Sequence, residues 1–258
     1  MQSNLSLILT APPSATSAAL TFGLPVGHMA YRVGRGPHLF RSELPISVRG
    51  GLMVVDDTEY DGLGDPMLFC REVVRECSSR GFDGVILDFE KEPSASLRNL
   101  VHTLGAVLKE NRWPLYLPES FAECSSYSKI IVSSALSGGS LRERLREMTE
   151  KYGADRIVLG IERVAEDFFL PAPTGGGVPL SREALQSRIA ERSPAIFFSQ
   201  ELCAHYFTYM NRVDGAHFIL FDDAVTIRQK LAVAQSLEIR SAILAYPQVD
   251  DLLAQILE

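Results

Sequence analysis

The chain alternates between two hydrophobic rhythms. Short apolar runs of strand length are each followed by a longer stretch in which apolar positions recur every three or four residues. The runs Leu5–Thr10, His28–Val33, Gly51–Asp56, Phe82–Glu90, Trp113–Leu117, Lys129–Ser134, Ile157–Ile161 and Ser241–Tyr246 predict strands. A short Ala-rich helical segment is predicted from Ser14, after Pro12-Pro13. Asp65-Pro66 supplies an N-cap and a proline for the first helical turn, and Phe69, Cys70, Val73, Val74 and Cys77 hold the helical period up to a stop at Gly81. Leu97, Leu100, Val101, Leu104, Val107 and Leu108 mark another helix. Gly138-Gly139 opens a charged helix that runs through Leu141, Leu145 and Met148 to Gly153. Ile227, Leu231, Ala234 and Leu237 give a later helix, and Asp250–Leu257 a terminal one.

Between Ala165 and Asp223 the alternation lapses. Thr174–Gly177 is predicted to be a loop, Ser181–Arg192 a helix, and Ala195–Phe198, Tyr206–Met210 and Phe218–Phe221 antiparallel strand pieces. Repeated strand–helix units imply a parallel sheet, and eight of them imply closure. The fold expected is therefore an α/β-class (β/α)8 TIM barrel, one domain over residues 1–258. A small α+β insertion at 165–223 precedes the last helix and strand.

In such barrels chemistry sits at the C-terminal ends of the strands. Here those ends carry Asp56, Asp88, Glu90, Glu119, Glu162 and Tyr246. Phe82–Glu90 is the most informative of them. Strand alternation puts Gly84, Ile86, Asp88 and Glu90 on one face and Val85, Leu87 and Phe89 on the other. Two carboxylates two residues apart on one face lie about 6–7 Å from each other along a strand. Their shared negative field raises the pKa of one of them, which suits a proton donor in glycosidic bond cleavage. The bland alternative is a strand that ends in two solvated acids.

Composition narrows the partners. The 258 residues are 46% hydrophobic, enough for a large core, and the net charge of −7 excludes nucleic acid, since phosphate binding needs a basic surface. The mild cluster Arg142, Arg144 and Arg146 has the spacing of a solvated helix face. Cys70, Cys77, Cys124 and Cys203 form no CxxC pair and are expected to pack as small apolar groups in a reducing compartment. No basic n-region is present, and Leu5–Leu9 is too short for a signal peptide or a membrane span. No membrane partner is therefore expected, and a cytoplasmic or spore-associated location is. His28, His38, His102, His205 and His217 lack ligand spacing, so no zinc or other metal site is expected. Magnesium held by Asp56, Asp88, Glu90 and Glu119 is the minor alternative. Gly34-Arg35-Gly36 and Gly175–Gly177 are not phosphate loops, and no cofactor is expected. Tyr206, Phe207, Tyr209 and Phe218 form either a satellite core of the insertion or the wall of a sugar groove.

Asp83-Gly84-Val85-Ile86-Leu87-Asp88-Phe89-Glu90 resembles the signature strand of family 18 glycoside hydrolases, D-G-x-D-x-D-x-E, on the fourth strand where that chitinase-like family carries it. Phe221-Asp222-Asp223, the following helix and Ile239–Tyr246 are similar to the family's aromatic–acidic segment, last helix and closing strand. The nearest likeness is to bacterial spore peptidoglycan hydrolases and N-acetylglucosaminidases, and it covers most of residues 50–250. The resemblance implies substrate-assisted, retaining cleavage of N-acetylglucosamine-containing glycans such as peptidoglycan, spore cortex or chitin-like chains. In that scheme Glu90 is the general acid/base and Asp88 orients the substrate's acetamido group. Tyr246 and Asp222 are the implied substrate-binding residues, and Asp83 and Gly84 structural ones. Glu119 and Glu162, from their strand-end positions alone, are either further substrate-binding residues that replace lost polar contacts or ordinary surface residues. The sequence departs from the family at three places. Ile86 replaces the middle aspartate, Ala135 and Leu136 stand where an aromatic–Asp pair is usual, and Tyr246 replaces a tryptophan. These departures fit a second class of function, a catalytically impaired barrel that binds glycans or serves as a spore or cell-wall scaffold.

Overall fold

A computed structural model describes residues 5–42, 49–136, 138–170, 177–212 and 215–258. In chain order it runs β1 (Ser6–Ala11), α1 (Thr16–Leu20), β2 (Val26–Val33), β3 (Leu39–Arg41), β4 (Leu52–Asp56), α2 (Pro66–Arg80), β5 (Val85–Asp88), α3 (Ala95–Glu110) and β6 (Leu115–Pro118). A 3₁₀ segment, Glu119–Cys124, leads to β7 (Lys129–Ser133), α4 (Leu141–Tyr152) and β8 (Ile157–Ile161). The insertion contributes β9 (Ala165–Leu170), β10 (Val178–Pro179), α5 (Arg182–Arg192), β11 (Phe197–Ser199), β12 (Ala204–Asn211) and β13 (Gly215–Phe221). α6 (Ala224–Ser236), β14 (Ser241–Ala245), α7 (Tyr246–Val249) and α8 (Leu253–Ile256) complete the chain.

The parallel strands run in the order β1-β14-β8-β7-β6-β5-β4-β2, and pairing of β1 with β2 closes the circle. The expected (β/α)8 barrel is therefore the fold. β3 hangs antiparallel on β2, outside the circle. Among the described residues no helix is long and apolar enough to cross a membrane.

Strand parity sorts the apolar residues into two layers. Val85 and Leu87 face outward into the main core, with Phe69 and Val73 of α2 and Leu100 and Leu104 of α3. Ile86 faces inward and joins Ile8, Leu52, Val54, Val158 and Ile243 in a small core inside the barrel. The helix ends obey local chemistry. Asp65 Oδ1 accepts the Met67 N–H at 2.9 Å, and Gly81 closes α2 at φ 70°, a left-handed conformation that glycine adopts without a Cβ penalty. At α6, Asp223 and Thr226 each accept the other's backbone N–H, both at 3.0 Å. All four cysteines are buried and unbridged.

Several boundaries differ from expectation. The strand predicted over Phe82–Glu90 is regular only from Val85 to Asp88. At its start, Gly84 lies so close to Pro114 that a Cβ would sit 2.8 Å from the Pro114 carbonyl oxygen. At its end, the Glu90 and Lys91 N–H groups leave the ladder for the Asp57 carboxylate. The last strand stops at Ala245, because Pro247 sits in the first turn of α7, which begins at Tyr246. The terminal helix is confined to Leu253–Ile256.

The insertion is a five-stranded antiparallel sheet, β10-β9-β13-β12-β11, in which β9 and β10 were not foreseen. β10 is exposed throughout and β9 buries only the charged Asp167, so neither shows a strand's apolar alternation. α5 covers one face, packing Leu185 and Ile189 on Phe207, Ile219 and Phe221. Arg188 ties that helix to the sheet through Asp167 and, at 3.0 Å, the Tyr209 hydroxyl. Tyr206 and Phe218 stack on each other on the other face, with ring centroids 5.2 Å apart. The aromatic residues thus form two satellite cores. Of the loop expected at Thr174–Gly177, residues 174–176 lie outside the described residues.

Candidate functional site

A cavity of about 620 Å³ opens at the C-terminal mouth of the barrel. Its floor is the inward apolar layer, including Val54, Ile86, Ile131 and Ile243, and Asp88, Glu90, Glu119 and Glu162 stand on its walls with Ser133 and Gln248. The structure therefore brings four of the sequence-predicted site residues to one opening.

Asp88 is the last residue of β5 and lies in register with Asp56, the last of β4. The Asp56 carboxylate turns aside to accept the Thr58 N–H at 3.0 Å, whereas Asp88 opens on the cavity. The Asp88 pKa is raised above 3.8. Burial in the barrel mouth is the largest cause, followed by the negative charges of Glu90, Asp56, Asp57 and Glu162. The residue is exposed to solvent within the cavity, and the protein walls around it reduce the hydration its anion would have in bulk water.

Glu90 lies two residues beyond the strand end, at the cavity edge. Its backbone N–H donates to Asp57 Oδ1 at 3.2 Å, and the Lys91 N–H donates to Asp57 Oδ2 at 3.2 Å. Phe89, between the two acids, points outward and packs edge-on against Phe121, 5.7 Å away. Glu119 opens the 3₁₀ segment after β6 and accepts from Arg144 Nη2 at 2.5 Å, which fixes it on the wall. Glu162 follows β8, and its N–H donates to the buried Ser134 hydroxyl at 3.2 Å.

Two implied substrate-binding residues are not among the cavity's lining. Tyr246 is the first residue of α7 and packs toward Phe22, 6.1 Å away, within the outer core. Gln248, two residues later, takes the place on the rim, its Oε1 accepting the Arg163 N–H at 3.2 Å. Asp222 is 1% exposed and fully engaged. It accepts from Lys230 Nζ at 2.6 Å, Thr226 Oγ1 at 2.8 Å and the Val164 N–H at 2.9 Å. Asp83 stands at the opposite end of β5, where its N–H donates to the Gly51 carbonyl at 2.7 Å. Ala135 packs with Val164, Ala204 and Leu220, and Leu136 against the outer core, so neither lines the cavity.

The sequence reading missed Asp57 and Lys91 as supports of Glu90, and Arg144 as the partner of Glu119. Such long-range contacts leave no local spacing signal. Ser133 was findable, because it shares strand parity with the inward-facing Ile131. Among the described residues no three His, Cys, Asp or Glu side chains are gathered so as to hold a metal ion.

No family model matches the sequence, and no curated protein matches it. Solved structures do. A chitinase from Chromobacterium violaceum superposes with a TM-score of 0.70 at 14% identity, covering 96% of this chain and 97% of that one. The spore cortex-lytic enzyme SleL of Bacillus cereus gives 0.67 at 14% identity, over 98% of this chain and 74% of that one. A family 18 chitinase from Cycas revoluta, solved as a complex with allosamidin, gives 0.65 at 15% identity, over 97% and 98%. The chain shares the barrel fold of these hydrolases. At such identities the likeness concerns the fold, and chemistry has to come from the residues around the cavity.

Proposed function

We propose that the protein is a glycoside hydrolase that cleaves N-acetylglucosamine-containing glycans by substrate-assisted, retaining catalysis. The observation that carries this reading is the pair Asp88 and Glu90, side by side at the mouth of one cavity and in different environments. Glu90, at the outer edge, is the group placed to protonate the departing glycosidic oxygen. Asp88, deeper and in a strongly negative setting, is placed to accept the acetamido N–H and turn that group's carbonyl oxygen toward the anomeric carbon.

As the carbonyl oxygen attacks, the acetamido nitrogen gains positive charge in an oxazolinium-type intermediate. The field that makes an Asp88 anion costly in the empty cavity then becomes favourable, because a cation has formed beside it. Water, deprotonated by Glu90, opens the intermediate from the face the leaving group vacated, opposite the acetamido oxygen, and two inversions leave the configuration retained. The apolar floor and acidic walls fit a neutral sugar that passes through a cationic transition state, and disfavour phosphorylated substrates. Similar structures support the substrate class: a Cycas chitinase was solved with (GlcNAc)3, and two Bacillus relatives in fold are spore cortex-lytic enzymes.

The second reading, a barrel that binds glycans as a spore or cell-wall scaffold without cleaving them, is favoured by one observation. Ile86, beneath Asp88, belongs to the apolar interior and offers no charge to exchange a proton with it. Hydrolysis of an N-acetylglucosamine oligomer and of spore cortex by wild type and Glu90→Gln decides between the two. Removing a general acid costs about 10²–10⁴-fold in kcat, with sugar binding retained. Equal, background-level rates in both proteins, with binding intact, would establish the scaffold.

A further inference from the structure

Glu90 lies outside the sheet, since the ladder of β5 ends at Asp88. Strand hydrogen bonds therefore do not fix the residue that the hydrolase reading makes the proton donor. A different device does. Asp57, immediately after β4 and 1% exposed, uses both carboxylate oxygens on the main chain of the next strand's exit. Oδ1 accepts the Glu90 N–H and Oδ2 the Lys91 N–H, each at 3.2 Å. The grip is returned, because Lys91 Nζ donates to the carbonyl oxygens of Asp57 at 2.6 Å, Thr58 at 3.0 Å and Tyr60 at 3.0 Å. Each side chain thus holds the other's backbone, and the exits of β4 and β5 are stitched into one unit with Glu90 at its edge.

We infer that Asp57 and Lys91 form a reciprocal clamp that positions Glu90 for proton transfer, Asp57 being the positioning residue. The role rests on the hydrolase reading, but the order it imposes on the Glu90 loop does not. A buried carboxylate is costly unless its oxygens are satisfied, and here backbone amides satisfy them. The anion contributes charge to the cavity from behind, and Phe89, anchored on Phe121, fixes the same segment from the other side. Proton transfer needs the donor oxygen within hydrogen-bonding reach of the leaving oxygen, and a displacement of about 1 Å can cost about 10²-fold in rate.

Two variants test the clamp. Asp57→Asn keeps the shape but turns an NH₂ toward one of the two N–H groups. Lys91→Met removes the return grip from an exposed side chain, so this protein folds even if the first variant does not. Each is assayed for kcat and KM on an N-acetylglucosamine oligomer, and for amide exchange at Glu90 and Lys91. The expected result is a kcat lower by about 10²-fold in Asp57→Asn and about tenfold in Lys91→Met, with KM within about twofold. Exchange at the two amides speeds up by at least about tenfold while α2 and α3 amides are unchanged. Unchanged kcat in Lys91→Met, or unchanged exchange at both amides, overturns the clamp. If the wild type itself does not turn over the oligomer, the hydrolase reading fails, and amide exchange alone still decides whether Asp57 and Lys91 order the loop.

Discussion

Removing the ammonium of Lys230 takes the counter-charge from a buried carboxylate. Lys230 Nζ and the Asp222 carboxylate are 2.6 Å apart and both essentially inaccessible, at 1% and 0% side-chain exposure. Lys230→Met preserves the stem and leaves a buried carboxylate without its counter-charge. Breaking such a pair from one side costs about 3–5 kcal/mol. Asp222 keeps two neutral donors, Thr226 Oγ1 at 2.8 Å and the Val164 N–H at 2.9 Å, which puts the cost near the lower end, about 3 kcal/mol. For a chain of this size that corresponds to a fall of about 6–12 °C in Tm. Urea denaturation followed by circular dichroism, together with a thermal scan, measures both quantities. The double variant Asp222→Asn/Lys230→Met removes both charges and leaves the Val164 N–H an amide oxygen to donate to. It should therefore recover at least about 1 kcal/mol relative to the single change. A loss below about 1 kcal/mol in Lys230→Met, or a double variant worse than the single one, would refute the buried-pair account. The sugar KM should not move in either protein, since Asp222 does not line the cavity.

Other consequences are open to direct measurement. Because the folded-state pKa of Asp88 is raised above 3.8, the native protein holds that proton more tightly than the unfolded chain does. The stability this gives is complete below the unfolded value and is lost as pH rises through the folded one. Asp88→Asn should therefore raise Tm at pH 7, by an amount that shrinks toward acid pH; a lower Tm at pH 7 contradicts the assignment. Gly84→Ala should cost about 1–3 kcal/mol by urea denaturation, since the new methyl meets both the carbonyl oxygen and the ring of Pro114 at 2.8 Å. Burial pushes the thiols of Cys70 and Cys77 up to about 12, so a colorimetric disulfide reagent at pH 8 should label them only after denaturation.

Much of this was legible because strand parity and helix capping are local. The alternation around Ile86 separated the barrel's interior from its outer core, and Asp65-Pro66 and Gly81 bounded α2. Asp88 and Glu90 could be placed on one rim because β5 is short and its exit directly follows. Tyr246 was misplaced by a single peptide unit. The strand pattern runs through it, but Pro247 suits the first turn of a helix, and the chain turns before the ring can face the cavity. Asp222 looked like a site residue because Phe221-Asp222-Asp223 resembles the family's aromatic–acidic segment, but its side chain turns into a buried ion pair. Its partner, Lys230, lies eight residues on, in the second turn of α6, and its long stem reaches back to the residue before the helix cap, so the pairing was available in principle. The Asp57–Lys91 clamp was not, since it joins side chains to main-chain groups of a neighbouring strand and leaves no periodic trace.

The seam of the barrel has a bearing on how the protein is made. β1 pairs with β2 through Leu9–Val26, Thr10–Gly27 and Ala11–His28, but its other edge waits for β14, almost at the end of the chain. On the ribosome, the first strand emerges with one neighbour near at hand and the other still unsynthesised. Throughout elongation it presents a bare row of N–H and C=O groups flanked by apolar side chains, the kind of edge that recruits other chains. Closure is the last event rather than the first, so a polypeptide that stops before Ser241 keeps α1 to α6 and most of its cavity wall yet carries two sticky margins. Aggregation of nascent or prematurely ended chains, rather than loss of secondary structure, is the failure this topology invites.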